Sequence, residues 1–388
     1  MSENNYNKNF NNNNYNDHYY DDGNSMNDYL DGYNADSQYE DIYSDSGQRP
    51  NRTRTQKPKK HRSKGKKILK AILIILLILV LILVGYFALI VFRINYSGDS
   101  PDTEYIESEI GELKSSPDVQ NIMLFGADNH AEDENGRSDS MILLSIDKKH
   151  HKLKQTSFLR DLYLTIPGYG EDRLNAAYSY GGAALAVETI EYNFGIKIDN
   201  YAMVDFSNFT AIIDAMGGID LELTADEIDY INWQCWKNKQ VETRNELNID
   251  DYTFYENDNG EDVAKVHLNG RQALWYARDR DSAGSDFDRT TRQRIVIDTI
   301  FSQLKSSNPL TLMRVVYEIA PLITTDMSKG NIISMGMGLV SYLGYEREEL
   351  SVPGRDNFSN TWVGASQVLT IDDMDYEKEQ LYQFIYEE

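Results

Sequence analysis

The chain is 388 residues long and contains one cysteine, Cys235, so no intrachain disulfide is possible and an apolar core must stabilise whatever domain it forms. Six histidines and that cysteine make no set at metal-ligand spacing. His130, His150, His151 and His267 read as surface or edge residues. Basic charge is also scarce. Lys and Arg number 38 against 62 Asp and Glu, a net charge of −24 that disfavours nonspecific contact with nucleic acid or other polyanions. There is no dinucleotide-binding glycine fingerprint, no helix-turn-helix pattern and no internal repeat. Residues 1–50 hold almost no aliphatic side chains and are rich in Asn, Asp and Tyr, so they are expected to be disordered.

Long apolar runs are absent except for one. Residues 71–92, AILIILLILVLILVGYFALIVF, carry no charge. As a helix they would span about 33 Å, enough to cross a hydrocarbon core of about 30 Å. The run is too long for a cleaved signal peptide, begins some seventy residues in and lacks a small-residue cleavage pattern, so 68–93 reads as a transmembrane helix. The segment before it, residues 51–67, carries only basic charges. Those charges should remain in the cytoplasm beside anionic lipid, which makes the chain a single-pass protein of the cell membrane with an extracytoplasmic carboxy-terminal part. The resulting division is a disordered cytoplasmic tail over 1–67, the anchor, a polar stalk over 94–118 with a short helix near 104–115, and a domain over 119–388. Beyond Arg93 the chain has 25 basic and 52 acidic residues, a net charge of about −27. An anionic substrate would therefore need a local arginine cluster.

The most informative stretch is 121–182. Four strand-like runs, NIMLFGA, MILLSID, LKQTSFL and LYLTIP, alternate with charged breaks. Asp128 follows the first run and Asp139 precedes the second, so pairing of those runs brings both carboxylates to one end of a sheet. Close carboxylates repel unless a proton or a cation sits between them. Arg137 lies beside them, Arg160–Asp161 interrupts the next runs and Arg173 follows. Acids suited to a divalent cation, with arginines suited to phosphate oxygens, suggest phosphoryl chemistry.

Helical spacing follows, closing at Gly195, then a strand YAMVDF, a helix capped by Ser207 and a strand IDLEL. Strands mixed with helices predict a layered α/β domain with a mixed sheet. Residues 224–266 read as a long surface excursion, with Trp233 and Trp236 packing on the domain in preference to stacking on sugar rings. In 268–293, Asn269 should cap a short helix that releases Arg278 and Arg280 at its end. Asp288 should cap the next helix, placing Arg289 and Arg292 together in its first turn, at an end that favours anions. Alternatively these arginines pair with Asp279, Asp281, Asp286 and Asp288. Helices over 311–320 and 328–343, the second capped by Ser328, a strand REELSVPG and a helix near 373–386 complete the chain.

The pieces GAD, GRSDS, LRD, RLNAAY and GG, in that order within about sixty residues, resemble the LytR-CpsA-Psr family of cell-wall glycopolymer transferases. The later GRQALWYARDR, DFDR and RQ are similar to that family's pattern too. The resemblance implies a membrane anchor and an extracytoplasmic α/β/α domain with a mixed central sheet flanked by helices. It implies transfer of a teichoic acid, capsular or related glycopolymer from a polyprenyl-pyrophosphate carrier to peptidoglycan, with polyprenyl phosphate leaving. Asp128 and Asp139 then correspond to ligands of Mg2+ (or Mn2+). Arg137, Arg160, Arg173, Arg278, Arg280, Arg289 and Arg292 correspond to pyrophosphate contacts, and Arg160, Asp161 and Arg289 to catalytic residues. Asp161 or one of the metal acids is the candidate base. The polyprenyl tail would need an apolar tunnel, which no motif marks.

The sequence departs from the family at four points: His130 stands for an arginine, Ser140 for a threonine, Arg173 for a lysine and Leu159 for a proline. Three other functions stay open, namely a membrane-bound transcriptional attenuator, a lipid-pyrophosphate hydrolase and a silent glycan-binding protein. Expected partners are the lipid-linked glycan donor, peptidoglycan and the bilayer, with no nucleic acid.

Overall fold

The computed structural model describes residues 64–128, 136–238, 246–280 and 285–387. The expected tail over 1–67 lies outside them except at 64–67, and His130 and Asp281 lie outside them altogether. Helix α1 (Lys64–Arg93) contains the apolar run, and its side chains from Ile68 to Val84 are exposed, as a lipid-facing segment requires. It is long and apolar enough to cross a membrane.

The chain continues through β1 (Asn95–Tyr96), α2 (Thr103–Ile110), β2 (Val119–Asp128), β3 (Arg137–Asp147), β4 (Lys152–Phe158), β5 (Tyr163–Ile166) and β6 (Gly170–Arg173). Next come α3 (Leu174–Phe194), β7 (Asn200–Asp205), α4 (Phe206–Met216), β8 (Ile219–Leu223), α5 (Ala225–Lys237), β9 (Tyr255–Glu256) and β10 (Asp262–Leu268). Then follow α6 (Gly270–Arg278), α7 (Asp286–Ser306), α8 (Pro309–Ile319), β11 (Thr324–Thr325), α9 (Lys329–Tyr342) and β12 (Glu346–Val352). A hairpin of β13 (Phe358–Val363) and β14 (Ser366–Ile371) precedes α10 (Met374–Tyr386).

Seven strands form the central sheet in the order β1-β11-β7-β2-β3-β4-β12. It is mixed: β2 runs parallel to β7, β3 antiparallel to β2 and β4, and β12 parallel to β4. Both faces are covered, and the middle strands β2 and β3 are nearly continuous apolar runs. Met123, Phe125, Met141 and Leu143 pack with α3 and α10 residues such as Ile190, Phe194 and Ile385. Their strand neighbours Ile122, Leu144 and Ile146 face Phe301, Ile332 and Met335 of α7 and α9. The result is the expected α/β/α arrangement. A small sheet, β8-β10-β9, carries its own core against α5 and α6.

Five local expectations are corrected. Residues 94–118 are not a free stalk: β1 pairs with β11, the Tyr201 hydroxyl donates to the Asp99 carbonyl, and Ile106 is buried. Residues 224–266 contain α5, started by a Thr224–Glu227 capping box and anchored by Ile228, Ile231 and Cys235. Trp233 and Trp236 of that helix are exposed instead of packed. Caps shift as well, because Asp205 caps α4 in place of Ser207 and Ser285 caps α7 in place of Asp288.

Candidate functional site

The parallel strands β2, β4 and β7 all end on one edge of the sheet, and antiparallel β3 begins there. In open α/β sheets this edge is where ligands bind. Asp128 ends β2 opposite Arg137, the first residue of β3. Between Gly126↔Ser140 and Ala127↔Ser138 the register slips, leaving Asp139 as the unpaired residue of a β-bulge. Bulges re-aim side chains. Here Asp139 and its chain neighbour Ser140 both line the same cavity. The Ser138 hydroxyl donates to the Ser140 carbonyl at 2.8 Å and so bridges the irregularity. Gly126 admits the close approach, since a Cβ there would meet the Ser140 Cβ at 3.1 Å.

After β4 the chain leaves the sheet through Arg160 and Asp161. This turn is held by the start of α3: the Leu174 and Asn175 amides donate to the carbonyls of Leu162 (2.7 Å) and Arg160 (3.0 Å). The LNAAY portion of the motif thus shapes the Arg160–Asp161 turn through the backbone. Arg160 Nη1 reaches Asp139 Oδ1 at 2.5 Å and its Nε reaches Asp161 Oδ2 at 3.3 Å, while Arg173 Nη1 stands 3.6 Å from Asp161 Oδ1. The last residue of α6, Arg278, has its guanidinium over the Phe206 and Trp275 rings at 4.3 and 5.2 Å and a nitrogen 4.0 Å from Asp128. These rings orient Arg278, and sequence reasoning did not single them out.

Helix α7 supplies Arg289, which is buried at 2% exposure. One turn earlier, Asp286 Oδ1 lies 3.0 Å from Arg289 Nη1 and 3.7 Å from Arg280 Nε. Burial raises the Asp286 carboxyl above its ordinary range, Arg280 and Arg160 act against that rise, and nearby Asp161 adds to it. None of the three Arg289 nitrogens makes a hydrogen bond. Arg292 takes another direction. Its Nε donates to Glu227 Oε1 at 2.9 Å and its Nη2 lies 3.8 Å from Asp279 Oδ2, so it braces α7 against α5 and α6 away from the cavity lining. Arg137 is exposed and does not line the cavity either.

The cavity itself has a volume of about 540 Å3 and lies between the sheet and helices α4, α6 and α7. Asp139, Arg160, Arg278, Arg280 and Arg289 line it, together with apolar residues such as Val204, Phe209, Ile297 and Ile323. Read along the strand order, its lining passes from Arg160 after β4, across β3, β2 and β7, to Ile323 just before β11.

Two sets of residues are suited to a cation. Asp128 and Asp139 are hard oxygen donors on adjacent strand ends facing the arginine cluster, a donor set that fits a magnesium ion sharing its coordination with phosphate and water. Asp147, His150 and Glu387 also converge. However, the Lys154 ammonium lies 2.9 Å from both of those carboxylates and Lys152 lies 2.8 Å from Glu387, so that cluster is already neutralised.

A profile described as the LytR_cpsA_psr family matches residues 92–383. The chain is 28% identical over 308 residues to the polyisoprenyl-teichoic acid–peptidoglycan teichoic acid transferase TagV of Bacillus subtilis, covering 75% of this chain and 72% of TagV. It is 30% identical over 251 residues to the TagU transferase of Bacillus anthracis, covering 64% of this chain and 73% of TagU. Among solved structures, B. subtilis TagT with bound octaprenyl pyrophosphate aligns at a TM-score of 0.51 and 21% identity, over 71% of this chain and 93% of that one. A Streptococcus agalactiae protein aligns at a TM-score of 0.56 and 20% identity, over 74% of this chain and 91% of that one. With the fold and the ordered motifs in place, the chain belongs to the LytR-CpsA-Psr family.

Proposed function

We propose that the protein transfers a glycopolymer from a polyprenyl-pyrophosphate carrier to peptidoglycan, acting at the cell membrane with its α/β/α domain on the extracytoplasmic side. The observation that carries this reading is Arg289, a buried guanidinium with no hydrogen-bonded nitrogen, set in the wall of an apolar cavity. Asp286 balances the charge of Arg289, but buried donors without acceptors are costly, and pyrophosphate oxygens would supply the missing acceptors. Naming of the relatives as teichoic acid transferases and the arginines at one end of the apolar lining support the same reading.

In this proposal the cavity takes the prenyl tail, and Arg160, Arg278, Arg280 and Arg289 hold the pyrophosphate. An acceptor sugar hydroxyl attacks the phosphorus nearer the glycan. The new P–O bond forms as the bridging P–O bond breaks, its electron pair leaves with polyprenyl phosphate, and the hydroxyl proton passes to a carboxylate. Asp161 and Asp139 are the candidate bases. Charge building on the leaving phosphate is stabilised by guanidinium groups fixed before the reaction begins. Arg173 orients Asp161, and Arg292 positions α7. Magnesium bound by Asp128 and Asp139 would neutralise further phosphate charge.

The test uses full-length protein with magnesium, a polyprenyl-pyrophosphate glycan and peptidoglycan fragments, with release of polyprenyl phosphate as the readout. The expected result is release that requires acceptor and is lost in Arg160→Ala and Arg289→Ala. Equal release without acceptor would make the protein a lipid-pyrophosphate hydrolase instead.

A further inference from the structure

The last two turns of α1 are not free to meet lipid on all sides. Ile90 and Val91 are buried, and the Tyr86 hydroxyl donates to the Met313 carbonyl at 2.6 Å. The Phe87 ring lies where a Cβ on Gly336 would stand, so the glycine lets α1 and α9 approach closely. Arg93 sits over the Tyr317 ring at 4.2 Å, and Lys329 sits over Phe92 at 5.1 Å. The end of α1 is therefore docked on α8 and α9.

Length then becomes decisive. Residues 71–85, the uncharged part before the docked turns, span only about 22 Å as a helix. A hydrocarbon core is about 30 Å thick. The deficit closes if the docked turns lie inside the leaflet, and they carry the surface they dock on with them. That surface suits such a position. In a chain of net charge −24, no acidic residue occurs from Met327 to Tyr345. Exposed Ile333, Met337 and Val340 recur at i, i+4 and i+7 on α9, and Leu310 opens α8 at 79% exposure. Arg93 ends α1 and Lys329 opens α9, positions from which long cationic side chains can reach a membrane–water interface.

We propose that the α8–α9 face, centred on Met337 and Val340, is a membrane seat immersed in the leaflet on the domain's side of the bilayer. The cavity wall reaches the docked end of α1. Ile323 lines the cavity, and the Ile323 carbonyl accepts from the amide of Asn95, two residues past α1. A lipid tail can then pass sideways from the leaflet into the cavity without crossing water. The seat follows from helix length and exposure alone; the route for the tail rests on the proposed function.

Full-length protein carrying Cys235→Ala is placed in phosphatidylcholine–phosphatidylglycerol vesicles, with an NBD fluorophore on Met337→Cys or, as reference, on Tyr376→Cys of α10 on the opposite face of the sheet. Nitroxide-labelled acyl chains should quench the probe at 337 at least threefold more than the probe at 376. Equal, weak quenching at both positions overturns the seat. Self-quenching at 337 that grows with protein density also overturns it, because a second copy would then cover the face. With the seat established, Met337→Asp combined with Val340→Asp should slow polyprenyl phosphate release from vesicle-borne donor about tenfold and leave release from detergent-dispersed donor unchanged. Equal slowing in both would overturn the lateral route, and absence of release in the parent protein would overturn the proposed function while the quenching result stands.

Discussion

Asp286 Oδ1 lies 3.0 Å from Arg289 Nη1, yet neither atom makes a hydrogen bond. The acid compensates the charge of the guanidinium without occupying its donor directions. An interaction of this kind holds Arg289 in place and leaves it able to bind an incoming anion.

Replacement of Arg289 should therefore separate stability from activity. Arg289→Met removes buried donors that lack acceptors but also takes a cation from Asp286, which is part-exposed and keeps Arg280 at 3.7 Å, so stability should change by no more than roughly 1 kcal/mol. The same change should lower kcat at least a hundredfold. Thermal unfolding and turnover, measured on one preparation, check both halves. A large loss of stability would mean that the guanidinium is structural.

Arg292, three residues on, should behave in the opposite way. It is hydrogen-bonded to part-buried Glu227 and lies 3.8 Å from buried Asp279, so Arg292→Ala takes one cation away from both acids. Breaking such a pair costs about 3–5 kcal/mol. The expected outcome is a clear drop in Tm with KM for the lipid donor little changed at a permissive temperature.

If Asp139 holds magnesium, Asp139→Asn should raise the magnesium concentration for half-maximal activity about tenfold and weaken Mn2+ binding measured calorimetrically on the substrate-free protein. Loss of activity with unchanged metal affinity would assign Asp139 to orienting Arg160, or to proton transfer, instead.

Two buried acids outside the site give stability opposite pH dependences. Burial, outweighing the Ile198 amide and Thr103, raises Glu191 to about 7. The folded state favours its protonated form, so stability falls as pH rises from about 4.5 to 7, by up to about 3 kcal/mol. Glu191→Gln should flatten that part of a Tm–pH profile. Asp147 is buried too, but hydrogen bonds from His150 and Lys154 prevail and hold it at about 2. Its contribution is present above its ordinary pKa near 4 and disappears as pH falls toward 2. Asp147→Asn should lower Tm at neutral pH and leave it nearly unchanged at pH 2.

The central strands β2 and β3 were legible because both of their faces are buried, so their apolar runs are nearly unbroken; β4 is buried too but in part with Lys154, Gln155, Thr156 and Ser157. Helix α5 was not legible, although Ile228, Ile231 and Cys235 stand at i, i+3 and i+7, because DEIDY and NWQ surround them with polarity. The β13–β14 hairpin went unnoticed since most of its side chains are exposed and only Val368 and Leu369 are buried. In the site, the motif order located Asp139, Arg160, Arg278, Arg280 and Arg289 along one cavity. Spacing alone misled for Arg292. Its partner Glu227 comes from a helix sixty-five residues earlier, and no local pattern encodes that meeting.

The bulge at Asp139 has a consequence for how this site can vary. Along β3 the frame of the ladder changes phase by one residue between Ala127 and Gly126. Substituting Asp139 alters one side chain. Removing it would leave Ser140 opposite Gly126 and Ser138 opposite Ala127 in an uninterrupted ladder, so the carboxylate would be lost while Arg137 kept its place opposite Asp128. The position of this acid is thus stored as the number of residues in a strand as well as the identity of one of them: the ladder closes without it, and only the extra residue brings a carboxylate to the cavity wall.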